Sequence, residues 1–265
     1  MKWTVLVDNR TNNDQLKTEH GLSILLETTN GRRHHRILLD TGASDAFIHN
    51  TEKMGIDLST IDYVFISHGH SDHAGGLKYF MEINKKAKVI VSPEALKGKY
   101  YSKRHYLHSI TTEWPEIPQE RLLTIEHSGN IDDGIYIIAH IPHTYPMPKG
   151  NQYLFVQDSQ DQYVPDDFRH ELALYADGLL FTGCAHSGLE NILAACPEKV
   201  NTVVGGFHLL DGQESEEELK ALALRLKNKY PNTHFFTSHC TGDSVFAILQ
   251  DVMGDKIHGF SCGTC

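Results

Sequence analysis

The segment Ser67-His68-Gly69-His70-Ser71-Asp72-His73 is the most informative stretch of this 265-residue chain. It directly follows Tyr63-Val64-Phe65-Ile66, an apolar run with the length and composition of a buried strand. A helix is predicted to begin shortly afterwards, at Gly75. Because α/β proteins place ligands in the loops between strand ends and helix starts, the segment predicts a binding site.

The side chains of this segment that can bind metal ions are His68, His70, Asp72 and His73. Residues two apart in an extended loop point to the same side, so His68 and His70 can bind one ion. Asp72 and His73 follow a turn later and can reach a second ion. Imidazole and carboxylate ligands suit divalent Zn, with Fe and Mn as alternatives. Two ions about 3.5–4 Å apart can clamp a reacting oxygen and generate hydroxide at neutral pH, which predicts a catalytic metal pair.

Composition restricts the classes of partner. The formal net charge of −10 is a poor match for nucleic acid, whose phosphates favour dense Lys and Arg. No apolar run approaches the roughly 18 residues of a membrane span. The N-terminal residues 1–8 predict a strand and not a secretion signal, so we expect a cytoplasmic protein. The basic segment 97–105 is interpreted as a solvated loop face, or alternatively as a site for a phosphorylated or anionic small molecule.

Short apolar runs of strand length alternate with helical patterns, which indicates an α/β fold. The predicted strands are 4–7, 22–27, 36–39, 63–67, 88–91, 135–139, 153–157, 178–182, 202–205 and 234–237, and the predicted helices are 43–54, 75–84, 189–195, 215–229 and 244–253. We predict one domain over residues 1–265, since no low-complexity linker or repeat interrupts it. Pro115 and Pro118 break the pattern within residues 93–130, which favours an insertion or lid.

The five cysteines are an odd number, which argues against a disulfide framework. Cys262-Gly263-Thr264-Cys265 is an isolated CxxC motif. We interpret it as an incidental reduced pair; a redox pair or half of a metal site are the alternatives.

The pattern HxHxDH, formed by residues 68–73, resembles the signature of the metallo-β-lactamase superfamily. This resemblance implies a four-layer αββα sandwich with the metal ions at one edge. The run Leu38-Leu39-Asp40-Thr41-Gly42 resembles the first motif of the superfamily. The resemblance implies that Asp40 lies behind the ligands and orients them by hydrogen bonds.

Three downstream runs also resemble superfamily motifs. Residues 179–188 look like the motif that normally reads FTGD, but Cys184 stands where the bridging Asp is expected. Two residues later, His186 is the preferred third ligand of the first ion. In the run 236–242, His239 matches the ligand of the second ion. In the run 205–209, His208 is expected to contact substrate or metal.

The third-motif histidine of the superfamily should lie near residues 139–144, where His140 and His143 are both candidates. The following Tyr-Pro-Met-Pro lacks the usual pattern. We therefore prefer His186 as the ligand and expect His143 to lie near the site.

Several phrases, including SHGHSDHAGGL (67–77), TGCAHSG (182–188), VVGGFHLL (203–210) and SHCTG (238–242), resemble one branch of the superfamily. That branch is named for 7,8-dihydropterin-6-methyl-4-(β-D-ribofuranosyl)-aminobenzene-5'-phosphate synthase, a dihydropteroate-synthase-like enzyme. The resemblance implies a dinuclear enzyme for a small phosphorylated or pterin-like substrate, with Asp72 and His208 taking part in the chemistry. The implied ligands are His68, His70 and His186 for one ion and Asp72, His73 and His239 for the other.

Two alternatives remain open. The first is a hydrolase of a small phosphodiester or lactone on the same scaffold. The second is a metal- or redox-sensing binding protein that uses Cys184, Cys240, Cys262 and Cys265.

Overall fold

The computed structural model describes residues 1–30, 33–210 and 213–265, and its elements follow the apolar runs of the sequence. In chain order the strands are β1 (Lys2–Val7), β2 (Ser23–Asn30), β3 (Arg33–Leu39), β4 (Tyr63–Phe65), β5 (Lys88–Val91), β6 (Tyr100–Ser102), β7 (His108–Ser109), β8 (Leu122–Thr124), β9 (Gly129–Asp132), β10 (Ile135–Ile138), β11 (Leu154–Gln157), β12 (Tyr163–Pro165), β13 (Ala173–Ala176), β14 (Leu179–Phe181), β15 (Thr202–Val204), β16 (His234–Thr237) and β17 (Ile257–Gly259). The helices are α1 (Ala46–Met54), α2 (Ser71–Ala74), α3 (Leu77–Ile83), α4 (Pro93–Lys97), α5 (Leu189–Ala195), α6 (Glu216–Lys229) and α7 (Asp243–Met253).

Two large sheets carry the parallel strands of the described residues. One has six strands in the order β1-β2-β3-β4-β5-β8, and the other has seven in the order β17-β16-β15-β14-β13-β10-β9. Strands β3, β4 and β5 run parallel in the first sheet, and β14, β15 and β16 run parallel in the second. The carboxyl ends of parallel strands meet at one edge of a sheet, and the motif loops follow β3, β4, β14, β15 and β16.

The side chains of each strand alternate between two layers of core. In β4, Phe65 belongs to the apolar cluster between the two sheets, whereas Val64 packs with Phe47 and Leu77 of the outer helices. In β14, Leu180 likewise faces a third cluster that includes residues of α5, α6 and α7. The fold is therefore the predicted four-layer αββα sandwich, which confirms the predicted fold class.

The predicted helix 75–84 corresponds to α3 (Leu77–Ile83), and Gly75 and Gly76 separate it from α2, a four-residue helix that was not predicted. A Cβ atom on Gly76 would lie 2.2 Å from the Thr41 carbonyl oxygen, so the chain passes too close to this loop for any side chain. Asp72 and His73 lie in the single turn of α2. The His70 carbonyl there accepts hydrogen bonds from the backbone N–H groups of His73 and Ala74.

Residues 93–130, predicted as an insertion or lid, divide between two sheets. Strands β6 and β7 join β11 and β12 in a four-stranded sheet of order β12-β11-β6-β7, whereas β8 extends the six-stranded sheet. The small sheet was not predicted as a unit, because its strands are two to four residues long. Within the described ranges, no helix has the length and apolar character needed to cross a membrane.

Candidate metal centre

The rings of His68, His70 and His186 converge at the sheet edge. Ring centroids of His68 and His70 are 4.6 Å apart, and each lies 5.0 Å from the ring of His186. All three side chains are buried, and their Nε2 atoms have no hydrogen-bond partner among residues 1–30, 33–210 and 213–265. Burial lowers the pKa of His70 to about 3 and the pKa values of His68 and His186 well below the usual value. The three imidazoles are therefore neutral at physiological pH.

The hydrogen bonds behind two of these rings assign their tautomers. The Ser67 hydroxyl donates to Asp40 Oδ2 at 2.7 Å, so it accepts a hydrogen bond from His68 Nδ1 at 2.8 Å. The Asn151 side-chain N–H donates to the His186 carbonyl oxygen, which leaves Asn151 Oδ1 to accept from His186 Nδ1 at 3.2 Å. Both histidines therefore present an unprotonated Nε2, the form that binds a metal ion.

A second group, Asp72, His73 and His239, lies beside the first. The Nε2 atoms of His73 and His239 are 3.1 Å apart, and Asp72 Oδ2 lies 3.8 Å and 3.4 Å from them. The Nδ1 atoms donate to Asp40 Oδ2 at 2.6 Å and to Asn9 Oδ1 at 2.9 Å, respectively. Burial disfavours a charge on His73, but the Asp72 and Asp40 carboxylates outweigh this effect and raise its pKa to about 9.

Cys184 lies between the two groups. Its Sγ is 3.1 Å from His73 Nε2 and 3.3 Å from Cys240 Sγ. Potential ligand atoms of Cys184, His68 and His186 lie within 4.8 Å of one another, and the same holds for Cys184, His73 and His239. Burial raises the pKa of the Cys184 thiol well above its usual value.

Three buried carboxylates hold the loops that carry these side chains. Asp40 accepts from the Ser67 backbone N–H at 2.7 Å, as well as from the Ser67 hydroxyl and His73. Asp8 accepts from the His239 N–H at 3.0 Å. Glu171 accepts from the His186 N–H at 2.6 Å. Only Asp40 was predicted; Asp8 follows β1 in an unassigned loop, and Glu171 precedes β13, a strand that the sequence pattern did not reveal.

The backbone is strained at several of the strand ends. Asp40, Ala185, His208 and His239 follow β3, β14, β15 and β16, and all have positive φ, between 46° and 58°. This conformation costs a residue with a Cβ atom on the order of 1–3 kcal/mol, and such residues cluster at functional sites.

His170, which sequence reasoning missed, supports the His68–His70 loop. Its Nδ1 accepts a hydrogen bond from the Gly69 N–H at 3.0 Å, so its Nε2 carries the proton and donates to Asp166 at 3.0 Å. The ring of Tyr100 lies against it, with centroids 4.1 Å apart. His170 thus fixes the loop without offering a free nitrogen to the centre.

The two remaining predicted histidines lie in different places. The ring of His208 is 4.1 Å from that of His186, and both its nitrogens are buried without a hydrogen-bond partner in the described part of the chain. His143 is exposed and lines another cavity with His140 and Phe168. The ring of Phe168 stacks on the ring of His186 with centroids 4.7 Å apart, so Phe168 both lines the cavity of His143 and contacts His186. The structure therefore places His143 outside the lining of the cavity at the metal centre, in a cavity that shares Phe168 with the surroundings of His186.

The C-terminal cysteines do not join Cys184 and Cys240. Cys262 is buried, and its Sγ accepts a hydrogen bond from the Asp8 N–H at 3.1 Å, while Cys265 is exposed. The neighbouring backbone pairs with Val5, which ties the C-terminal residues to β1. Cys262 therefore contacts the backbone of Asp8, the residue whose carboxylate accepts a hydrogen bond from the His239 N–H.

A cavity of about 300 Å³ opens onto the centre. Its lining includes His70, Asp72, Cys184, His186, His208 and Cys240 of the centre, together with His20, Ser71, Ser102, Arg104, His105, His108, Ile110, Leu154 and Leu210. His20 was not predicted; its Nε2 lies 3.4 Å from Asp72 Oδ2. Strands β6, β7 and β11 of the small sheet and the loop between β6 and β7 thus form part of the cavity wall.

The sequence profile of the metallo-beta-lactamase superfamily matches residues 17–149, half of the chain. The chain belongs to the metallo-beta-lactamase superfamily. The resemblance drawn from the HxHxDH pattern is confirmed at this level. The superfamily is metal-dependent, and the buried imidazoles, carboxylate and thiol of this chain are donors that suit a transition metal.

Relatives within the superfamily include a synthase and a hydrolase. The uncharacterized protein MJ0448 of Methanocaldococcus jannaschii is 30% identical over 94% of this chain and 93% of its own length. The 7,8-dihydropterin-6-methyl-4-(beta-D-ribofuranosyl)-aminobenzene-5'-phosphate synthase of the same organism is 26% identical over 91% of this chain and 87% of its own. Among solved structures, Tm1679, a metal-dependent hydrolase of the beta-lactamase superfamily, has 29% identity and a TM-score of 0.81, covering 99% and 96% of the two chains.

Proposed function

We propose that this protein is a dinuclear metal-dependent enzyme that acts on a small anionic substrate. The observation that carries the proposal is the convergence of the rings of His68, His70 and His186, whose buried Nε2 atoms have no partner in the described part of the chain. Buried polar atoms are rarely left without a partner, because each costs about 1–3 kcal/mol. A cation bound to all three would remove that cost.

The ligands are assigned to two ions. His68, His70 and His186 would bind the first ion. Asp72, His73 and His239 would bind the second. The 3.1 Å between the Nε2 atoms of His73 and His239 supports this assignment, since two nitrogens on one tetrahedral ion are roughly 3.3 Å apart for bonds near 2.0 Å. Zinc is the first candidate because the donors are mainly imidazole, and Fe and Mn are the alternatives.

The chain itself contributes orientation and proton transfer. Bound divalent ions supply Lewis acidity, which polarises a substrate oxygen and lowers the pKa of water. Asp40 and Asn9 hold the rings of His73 and His239 so that their Nε2 atoms lie 3.1 Å apart. His208 lines the cavity with both ring nitrogens unpartnered among the described residues, so it can carry a proton to or from the substrate.

The cavity favours a phosphorylated substrate. Arg104, His105 and His108 line this cavity, and a guanidinium group binds phosphate oxygens by charge-assisted hydrogen bonds. A volume of about 300 Å³ is at the lower end for small-molecule sites. The basic lining supports condensation of an aminobenzene riboside phosphate with a pterin, the reaction type of the synthase relative, as the first candidate activity.

Metal analysis tests the proposal. The purified full-length protein is expected to contain two divalent ions per chain, and His70→Ala should lose at least one of them together with activity. His143→Ala is the matched control, because this histidine is exposed and lines another cavity. Unchanged metal content and activity in His70→Ala would reject the proposal.

Hydrolysis is the second candidate, and the similarity to Tm1679 favours it. The same centre and cavity suit a small phosphodiester or lactone. Turnover should therefore be compared between a pterin diphosphate with an aminobenzene riboside phosphate and a set of generic phosphodiesters and lactones. Turnover of the esters alone would assign a hydrolase, and condensation alone would assign a synthase.

A further inference from the structure

We propose that the Cys184 thiolate bridges the two metal ions, an inference that rests on the proposed dinuclear centre. Cys184 Sγ is shared by the two sets of ligand atoms: one with His68 and His186, the other with His73 and His239. In each set the potential ligand atoms lie within 4.8 Å of one another. A donor common to both sets is placed to coordinate both ions.

The distances around the sulfur agree with this role. A sulfur and a nitrogen on one tetrahedral ion are roughly 3.6 Å apart, given bonds near 2.3 Å and 2.1 Å. Cys184 Sγ is 3.1 Å from His73 Nε2, a separation that a shared ion can adjust by a small ring movement. The rings of His68 and His73 are only 4.2 Å apart, so one sulfur can reach the ions of both sets.

The backbone holds Cys184 in place. It lies between Gly183 and Ala185, which have φ of 57° and 58°. The Gly183 carbonyl accepts from the Gly206 N–H at 2.6 Å, and the Ala185 N–H donates to the Thr182 carbonyl at 3.0 Å. The side chain of Cys184 is only 3% exposed, and its Sγ lies among the potential ligand atoms of both histidine sets.

Cys240 is the neighbouring thiol and not the bridge. Cys240 forms a potential ligand group with Cys184 and His208, and all three side chains line the cavity. Its Sγ accepts a hydrogen bond from the His208 N–H at 3.3 Å and lies 3.3 Å from Cys184 Sγ. A Cβ atom on Gly206 would lie 2.4 Å from Cys240 Sγ, so this sulfur is confined beside Cys184. Cys240 is thus placed to donate a hydrogen bond to the bridging thiolate.

X-ray absorption of the zinc-loaded full-length protein tests the bridge directly. A bridging Cys184 gives an average of one sulfur per zinc at about 2.3 Å, because the same atom is counted by both ions. A terminal sulfur on one ion would give half a sulfur per zinc. Cys240→Ser should keep one sulfur per zinc, Cys184→Asp should give none, and the exposed Cys265→Ser is the matched control that should match the wild type.

Cobalt substitution provides a second measurement. The wild type with two Co(II) ions should show a near-ultraviolet sulfur-to-cobalt charge-transfer band, which Cys184→Asp should lose while still binding two ions through its carboxylate. Two bound ions with fewer than one sulfur per zinc, or a band lost in Cys240→Ser and kept in Cys184→Asp, would overturn the bridge and leave the dinuclear centre intact. A wild-type protein that binds no divalent ion would overturn both.

Discussion

The Nε2 atoms of His73 and His239 face each other at 3.1 Å in a buried centre. Each ring donates its Nδ1 proton backwards, to Asp40 and to Asn9. If both Nε2 atoms carried only lone pairs they would repel, so a proton or a cation must lie between them. The Asp72 and Asp40 carboxylates, which raise the pKa of His73 to about 9, favour either positive species.

Binding of the second ion should release a proton. At pH 7.5 His73 is protonated in the metal-free protein, because its pKa is about 9. The ion must displace that proton, so its affinity should fall up to tenfold per unit as the pH falls below 9. Titration calorimetry at pH 7.5 in buffers of different ionisation enthalpy should show release of at least one proton. A binding enthalpy that is independent of the buffer would contradict this prediction.

Replacement of Asp40 by Asn should weaken metal binding by roughly 10- to 100-fold, the usual effect of losing a carboxylate that orients ligating histidines. Asp40 accepts the hydrogen bonds of Ser67 and His73, and Asn can satisfy only part of them. Affinity is measured by competition with a chromophoric chelator. Asp45→Asn is the control, since Asp45 is exposed and its side chain makes no helix-cap hydrogen bond; equal affinities for the two variants would argue against the orienting role.

Replacement of Glu171 by Gln should destabilise the fold by about 1–3 kcal/mol. The carboxylate accepts backbone N–H groups of His186 and Ser187, whereas the amide of Gln would turn an N–H group toward one of them. The free energy of unfolding is obtained from denaturant titration of the metal-free protein. Glu113→Gln, at an exposed position, should change it by less than about 0.5 kcal/mol, and a similar value for both variants would refute the loop-holding role.

Replacement of His208 by Gln should lower kcat by roughly 10²- to 10⁴-fold, the range for loss of a general acid or base. The metal content should stay at the wild-type value, because His208 is not among the assigned ligands. The pH–rate profile should lose one limb in the variant. A parallel loss of bound metal would instead identify His208 as a ligand.

Replacement of Arg104 by Ala should raise KM for a phosphorylated substrate and weaken inhibition by inorganic phosphate. Arg104 lines the cavity that opens onto the centre, where it can bind the phosphate group of a substrate. Lys99→Ala is the matched control from the same basic segment, because Lys99 is exposed and is not part of the cavity lining. Equal phosphate inhibition of both variants would place the anion elsewhere.

Local patterns predicted an α/β fold, and the resemblance of the HxHxDH pattern to the metallo-β-lactamase superfamily implied the four-layer sandwich. Apolar runs of strand length predicted β4, β14 and β16 to within two residues. A buried strand can be recognised in the sequence because it is a short, continuous run of apolar residues. The strands β6, β7, β8, β9, β12, β13 and β17 were missed. Strands β6 and β7 are too short for a periodic signal, whereas β13 is followed by Asp177-Gly178, a hairpin-turn signal that could have revealed it.

The sequence by itself determined that His68, His70, Asp72 and His73 lie together, because they are neighbours in one loop after a buried strand. Only the tertiary structure decided which distant residues join them. His186 and His143 were both histidines near predicted strand ends, yet the backbone turn after β14 directs His186 inward while His143 is exposed. The contacts of Asp8, Glu171 and Cys184 depend on the packing of strand ends far apart in the chain, and no local pattern encodes those distances.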